Sequence, residues 1–290
     1  MASPTLFDRA APILFVLIWS TGWIVPQYSS PDADALIFLC VRFALAGLIL
    51  VAFALLSRAP FPTGREARNA VFSGVLLHGF YLSCVWWAVA QGVPSTISAL
   101  LATVQPILTA LAAPKLLGEK LTRLKAVGVA LGFAGLVITL SPKLLGAGGL
   151  SAPAFPLLVN LVGMLSITAG AMFQRKHLAD GDLRAIAAVQ YGGALCVTLP
   201  AALLFAAPRF ALTAPVIGAL VWSVLALSVG AIALLLLLIR HGEASRAATL
   251  LYLVPPTAAV QAAVLFGERL SLAQIVGFVV AIVGVVLARR

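Results

Sequence analysis

The chain of 290 residues is 62% apolar and only 10% charged, against about 25% charged in an ordinary soluble protein, and its mean hydropathy is +1.10. That composition excludes a water-soluble globule and a disordered chain alike. Its 19 Lys and Arg against 9 Asp and Glu give a net charge of +10, which in a soluble domain would point to nucleic acid; here the placement of those few cations decides their meaning.

A bilayer core takes about 20 mostly apolar residues per helix. Cutting the chain at charge, Pro and Gly clusters predicts ten spans, near 10–28, 34–56, 68–91, 95–117, 122–141, 153–174, 184–206, 214–239, 245–266 and 270–288. The loops between them are short, and the runs are apolar all round instead of alternating, so helices are expected and not a β-barrel. The first run reads as a mature span, since no small-x-small cleavage site follows it. Cys40, Cys84 and Cys196 each lie inside an apolar run, without metal-ligand spacing, and read as small core residues. No metal or cofactor is expected.

With ten spans and both termini cytoplasmic, 15 of the Lys and Arg residues fall on the inner side and 3, Lys143, Arg209 and Arg269, on the outer side. The positive-inside rule selects that orientation. The nineteenth cation, Arg42, is left within a span.

A self-match runs along the chain at an offset of 149 residues. Gly118-Glu119-Lys120-Leu121 recurs as Gly267-Glu268-Arg269-Leu270, with Leu101 and Leu250, Pro106 and Pro255, Gly128 and Gly277, and Gly135 and Gly284 in register. The chain therefore divides into residues 1–145 and 146–290, five spans each. Because five is odd, the halves cross the membrane in opposite senses. The expected fold is all-α and integral to the membrane, ten transmembrane helices in two five-helix inverted-topology repeats around a central cavity. In each Gly-Glu-Lys/Arg-Leu turn, Gly suits a left-handed helix end and Glu the start of the next helix, a structural reading set against a direct part in transport. The glycines of spans five and ten (Gly128, Gly132, Gly135; Gly277, Gly284) read as a close-packing face, within the chain or between two copies in a homodimer.

These features, with Trp19-Ser20-Thr21-Gly22 in span one and Arg42-Phe43 in span two, resemble the EamA-type drug/metabolite transporter superfamily over nearly the whole chain. Size and character look like its bacterial amino-acid and metabolite exporters, the aromatic-amino-acid exporter among them. The resemblance implies a basket of helices around a cavity, spans five and ten at the back, transport by alternating access, and the inner membrane of a bacterium. The buried Glu in the first helix of the small multidrug members has no counterpart here, which disfavours cation/proton antiport by that mechanism.

Polar groups at lipid depth are costly, so each is a candidate site residue. Arg42 lies roughly 12 Å below the outer end of span two, at about 1.5 Å per residue; it is placed to meet a substrate carboxylate or to brace helix carbonyls. His78 shares a helix face with Tyr81 and Val85, Trp86 at its flank, and serves either proton exchange or a helix contact. Trp19 and Trp23 share a face with Gly22 and Pro26, while Tyr191 and Tyr252 are aromatics of the second half.

Spans four and nine each carry a small or polar face, Ser95, Ser98, Ala99, Ala102, Pro106 and Thr109 in one and Ser245, Ala248, Thr249, Tyr252 and Pro256 in the other. The substrate-binding candidates are Trp19, Arg42, His78, Tyr81, Ser98, Thr103, Tyr191, Thr249 and Tyr252. The hinge candidates are Gly22, Pro26, Pro106, Pro255 and Pro256, which read as gates or as simple kinks. All nine carboxylates fall at ends or loops, and a phosphorylated substrate would need more than one buried cation. No nucleotide-binding motif is present.

The expected function is export of small metabolites, foremost amino acids with hydrophobic or aromatic side chains. The alternatives are a drug or sugar/nucleoside permease of the same fold and, in a different class, a membrane scaffold or an enzyme. The expected partners are the small-molecule substrate and the lipid bilayer, with no nucleic acid.

Overall fold

A computed structural model describes residues 6–117, 122–145, 152–231, 233–234 and 253–288. Apart from one isolated β-bridge, Ala33 with Phe210, its regular structure is helical. The first span is α1 (Leu6–Ser20), a 3₁₀ turn (Thr21–Trp23) and α2 (Ile24–Ser29). Pro26 has no N–H to give the carbonyl four residues back, at Gly22, and the tighter turn falls beside that gap. Then come α3 (Ala35–Leu56), α4 (Gly64–Gly74) and α5 (Tyr81–Ala90), the last two joined by a π-helical stretch, Val75–Phe80.

The fourth predicted span is divided into α6 (Ser95–Leu101) and α7 (Val104–Leu117). The break at Ala102–Thr103 lies where Pro106 cannot donate to Ala102, and three-residue bonds (Ala102 N to Ala99 O, Thr103 N to Leu100 O) tighten the turn there. Next are α8 (Arg123–Leu145), α9 (Ala154–His177), α10 (Leu183–Phe205) and α11 (Ala214–Trp222), which runs into a second π-helical stretch, Ser223–Gly230. The chain ends with α12 (Val254–Phe266) and α13 (Leu272–Ala288). Residues 235–252, which hold the end of the eighth predicted span and the start of the ninth, lie outside the described residues, Thr249 and Tyr252 among them. Pro255 and Pro256 occupy the first turn of α12, where a missing N–H costs no helical bond.

Five helical segments are long and apolar enough to cross a bilayer: Ala10–Ser29, Ala35–Leu56, Gly64–Ala90, Ala154–His177 and Leu183–Phe205. Shorter apolar helices cover Ala214–Gly230, Val254–Phe266 and Leu272–Leu287. Large apolar side chains face outward, among them Leu48, Leu56, Leu203 and Phe205. Such an exterior is stable against lipid tails and not against water.

Small residues let the helices approach closely. On α8 and α13 the glycine faces meet each other: a Cβ added at Gly284 would lie 2.2 Å from the Gly132 nitrogen, and one at Gly135 would lie 2.5 Å from the Gly277 carbonyl oxygen. At the α4–α10 crossing, Cβ atoms at Gly74 and Gly193 would meet the carbonyl oxygens of Gln190 and Val71.

One end of the bundle is closed by contacts between distant segments. Asp34 caps α3, accepting from Leu36 N at 2.8 Å, and also accepts from Ala207 N at 3.0 Å. Asp32 accepts from Thr213 Oγ1, and Arg209 donates to the Ser30 carbonyl. Gly267 ends α12 in the left-handed conformation, φ 66°, as expected of it. Glu268 departs from expectation. Its carboxylate caps α6, a helix remote in sequence, and not the helix that follows it: Oε1 accepts from Ser95 N at 3.1 Å and Oε2 from Thr96 N at 3.0 Å. The free N–H groups at a helix start attract a carboxylate wherever the chain brings one.

Candidate functional site: an aromatic cavity around Arg42

A cavity of about 280 Å³ lies among the helices. The first span contributes Trp19, Gly22 and Trp23, and α3 contributes Arg42. The π-helical stretch and α5 contribute His78, Tyr81 and Trp86; α9 contributes Ile167 and Gln174; α10 contributes Ala187, Gln190 and Tyr191. Leu227 of the second π-helical stretch completes it. Both π-helical stretches thus place residues on the cavity. A π turn carries one extra residue and re-aims the side chains around it, which is why such turns gather at functional sites.

Arg42 is 5% exposed. Its Nε donates to Ser228 Oγ at 3.3 Å, its guanidinium lies 5.3 Å from the Trp86 ring centroid, and Tyr191 lines the cavity with it. No carboxylate forms an ion pair with it among the described residues. Cation–π contact and the Ser228 hydroxyl therefore hold a buried charge that no anion in the described protein neutralises.

His78 stacks on Tyr191, with ring centroids 5.0 Å apart and planes 27° apart, and lines the cavity beside Gln190. Gln190 Nε2 in turn donates to Ser73 Oγ at 2.8 Å and Gln174 Oε1 at 2.9 Å. The stack on Tyr191 orients the imidazole from α10. Phe43 meets the edge of Tyr191 at 5.6 Å, and Phe15 packs on Trp19 at 5.1 Å, so the aromatic lining is held from behind.

Of the expected binding residues, Trp19, Arg42, His78, Tyr81 and Tyr191 come together on this cavity, and so does Gly22 of the hinge set. Ser98 and Thr103 do not line it. Ser98 accepts from Asn160 Nδ2 at 2.7 Å, joining α6 to α9, and Thr103, in the break after α6, donates back to Leu100 O. Sequence reasoning left Trp23, Trp86, Gln174, Gln190 and Ser228 out of the site. Trp23 and Trp86 carried a signal, since each falls on or beside a face already assigned. The glutamines and Ser228 are uncharged, and nothing in their spacing marks them. Among the described residues no group of His, Cys, Asp and Glu could hold a metal ion.

The family model for EamA-like transporters matches this chain twice, over residues 10–141 and 154–290. The chain belongs to the EamA-like transporter family. It is similar to the uncharacterized inner membrane transporter YedA of Escherichia coli (strain K12), at 30% identity over 258 residues, 88% of this chain and 81% of YedA. It is also similar to the uncharacterized transporter YvbV of Bacillus subtilis (strain 168), at 23% identity over 94% of this chain and 88% of the relative. A crystal structure that is 18% identical shares the fold with a TM-score of 0.67, over 96% of this chain and 94% of the other. EamA-like family members are membrane transporters of small molecules and not enzymes. This chain is therefore a membrane transporter.

Proposed function

We propose that this transporter exports small metabolites, chiefly amino acids with hydrophobic or aromatic side chains, by alternating access through the Arg42 cavity. The observation that carries the reading is the cavity's lining: five aromatic side chains (Trp19, Trp23, Tyr81, Trp86 and Tyr191) with one buried Arg and a few uncharged polar groups. Aromatic walls bury an apolar side chain, and the guanidinium fork fits a carboxylate.

Alternating access needs two halves that exchange roles, and the proposal divides the chain into residues 1–145 and 146–290, five inverted spans each. Two features support this. The family match occurs once in each half. The π-helical stretches Val75–Phe80 and Ser223–Gly230 lie near the same 149-residue offset as the sequence repeat. The orientation in this reading has both termini cytoplasmic, from the distribution of Lys and Arg. The glycine faces of α8 and α13 are engaged with each other, so a homodimer would have to form through other surface.

The test is counterflow of labelled amino acids in proteoliposomes. Trp19→Ala, His78→Ala and Tyr191→Ala are each expected to lower the rate about tenfold or more. Wild-type rates in all three would reject the site. Counterflow of a cationic drug or a nucleoside but of no amino acid would reject the substrate class.

A further inference from the structure

We infer that the cavity reads the carboxylate of its substrate and not an adjacent ammonium, so that its preferred class is an amphipathic aromatic monocarboxylate, amino acids being one kind among others. This rests on the proposed use of the Arg42 cavity and narrows which part of the substrate is recognised.

The donors come first. Arg42 is buried, with Ser228 taking part of its N–H fork and no carboxylate paired with it among the described residues. Trp23 and Trp86 line the same cavity and are 6% and 0% exposed, and their indole N–H groups find no acceptor among the described residues. A buried donor without an acceptor is a cost that a native site seldom carries without reason. Those indole nitrogens are closed off from the cavity, so an anionic ligand supplies its acceptors to the guanidinium, through charge-assisted bonds.

The acceptor side is poor. Among the described residues neither Asp nor Glu lines the cavity. A substrate ammonium would meet only the uncharged side chains of Gln174, Gln190, His78 and the tyrosines, with Arg42 repelling it. The aromatic surface best placed to receive a cation, Trp86, already lies against Arg42. Among the described lining residues, one fixed positive charge and no fixed negative charge balance a ligand of charge −1. A zwitterion leaves its ammonium without a charged partner, and the tail of either ligand is buried against Trp19 and Tyr81.

Three probes separate these terms: L-phenylalanine, 3-phenylpropionate, which lacks the ammonium, and phenethylamine, which lacks the carboxylate. Binding to the purified full chain in detergent is measured by isothermal titration calorimetry at pH 7. The expected result is that 3-phenylpropionate binds within about threefold of phenylalanine and phenethylamine at least about tenfold more weakly. Arg42→Gln should weaken 3-phenylpropionate about tenfold or more, and Arg42→Lys should restore part of that loss. If Arg42→Gln does not fold, the comparison of the three ligands on the unsubstituted protein stands as the separate test.

Phenylalanine binding more than about tenfold tighter than 3-phenylpropionate would overturn the inference and leave the amino-acid reading standing. Phenethylamine binding as tightly as 3-phenylpropionate would overturn it as well. Binding of 3-phenylpropionate without phenylalanine would uphold the inference and reject the amino-acid reading. Binding of none of the three would reject both.

Discussion

The carboxylate of Glu268, in the hairpin between α12 and α13, accepts the backbone N–H of Ser95 at the start of α6, 173 residues away. Ser95 Oγ bonds the Trp23 carbonyl and the Gln27 side chain, and Trp23 lines the cavity. One chain of hydrogen bonds thus links a closed end of the bundle to the cavity. Glu268→Ala should open that end. A cysteine introduced at the buried Thr96, in a background lacking Cys40, Cys84 and Cys196, should then react with a membrane-impermeant maleimide several-fold faster. Charge-assisted hydrogen bonds of this kind are worth about 1.5–3 kcal/mol each, so Glu268→Gln should have an intermediate effect. Unchanged labelling in the alanine variant would show that the clamp does not hold the end shut.

The α8–α13 seam tolerates no side chain at its centre. A Cβ at Gly284 would meet the backbone of Gly132 at 2.2 Å, and backbone cannot rotate out of the way. Gly284→Val should reduce the yield of monodisperse protein or lower its melting temperature by several degrees, as an overpacked contact costs about 1–3 kcal/mol. Gly218→Val is the control, since nothing lies within 4 Å of a Cβ there. Equal melting of the two variants would refute the seam.

Gln190 holds Ser73 and Gln174 together where α10 crosses α4. Gln190→Leu keeps the volume and removes the bonds, leaving buried polar groups unmet at about 1–3 kcal/mol. The variant should lose both thermal stability and transport rate. Full transport in this variant would mean that these bonds do not matter to the cavity.

Asp182 caps α10, accepting from Arg184 N at 2.9 Å. The Arg184 side-chain hydrogen bond holds its carboxyl below the usual range. A depressed folded value makes this contribution present above the unfolded value of about 3.9 and lost as pH falls through the lower, folded one. Asp182→Ala should lower the melting temperature at pH 7, with a loss near 1 kcal/mol, about that of a helix cap. The gap from wild type should narrow below about pH 4. A gap unchanged at pH 3 would remove the ionised cap from the account.

Five of the predicted spans were legible because lipid imposes one demand on every residue of a span, and composition records it directly. The predicted start at 34 and end at 56 match α3 within a residue, since Asp34 caps one end and Ser57 follows the other. The kinks near Pro26 and Pro106 were legible too, because a missing N–H acts within four residues of chain.

The site was legible only where chemistry is rare. Arg42 and His78 stand out as ionisable groups in apolar runs, and aromatic spacing led to Trp19 and Tyr81. Ser98 was misplaced because a hydroxyl at lipid depth serves a substrate or a neighbouring helix equally well, and Asn160 claims it. Gln190 escaped notice because its importance lies in partners 16 and 117 residues away.

The sequence by itself determined membrane residence, helix positions and an internal repeat, since these depend on local apolarity, backbone donors and spacing along one chain. Tertiary structure decided which polar groups meet. It set Ser228 on Arg42, Glu268 on α6, and the glycines of α8 on those of α13. Such pairings depend on how helices cross, and crossing is set by packing over many residues at once, which no single stretch of sequence records.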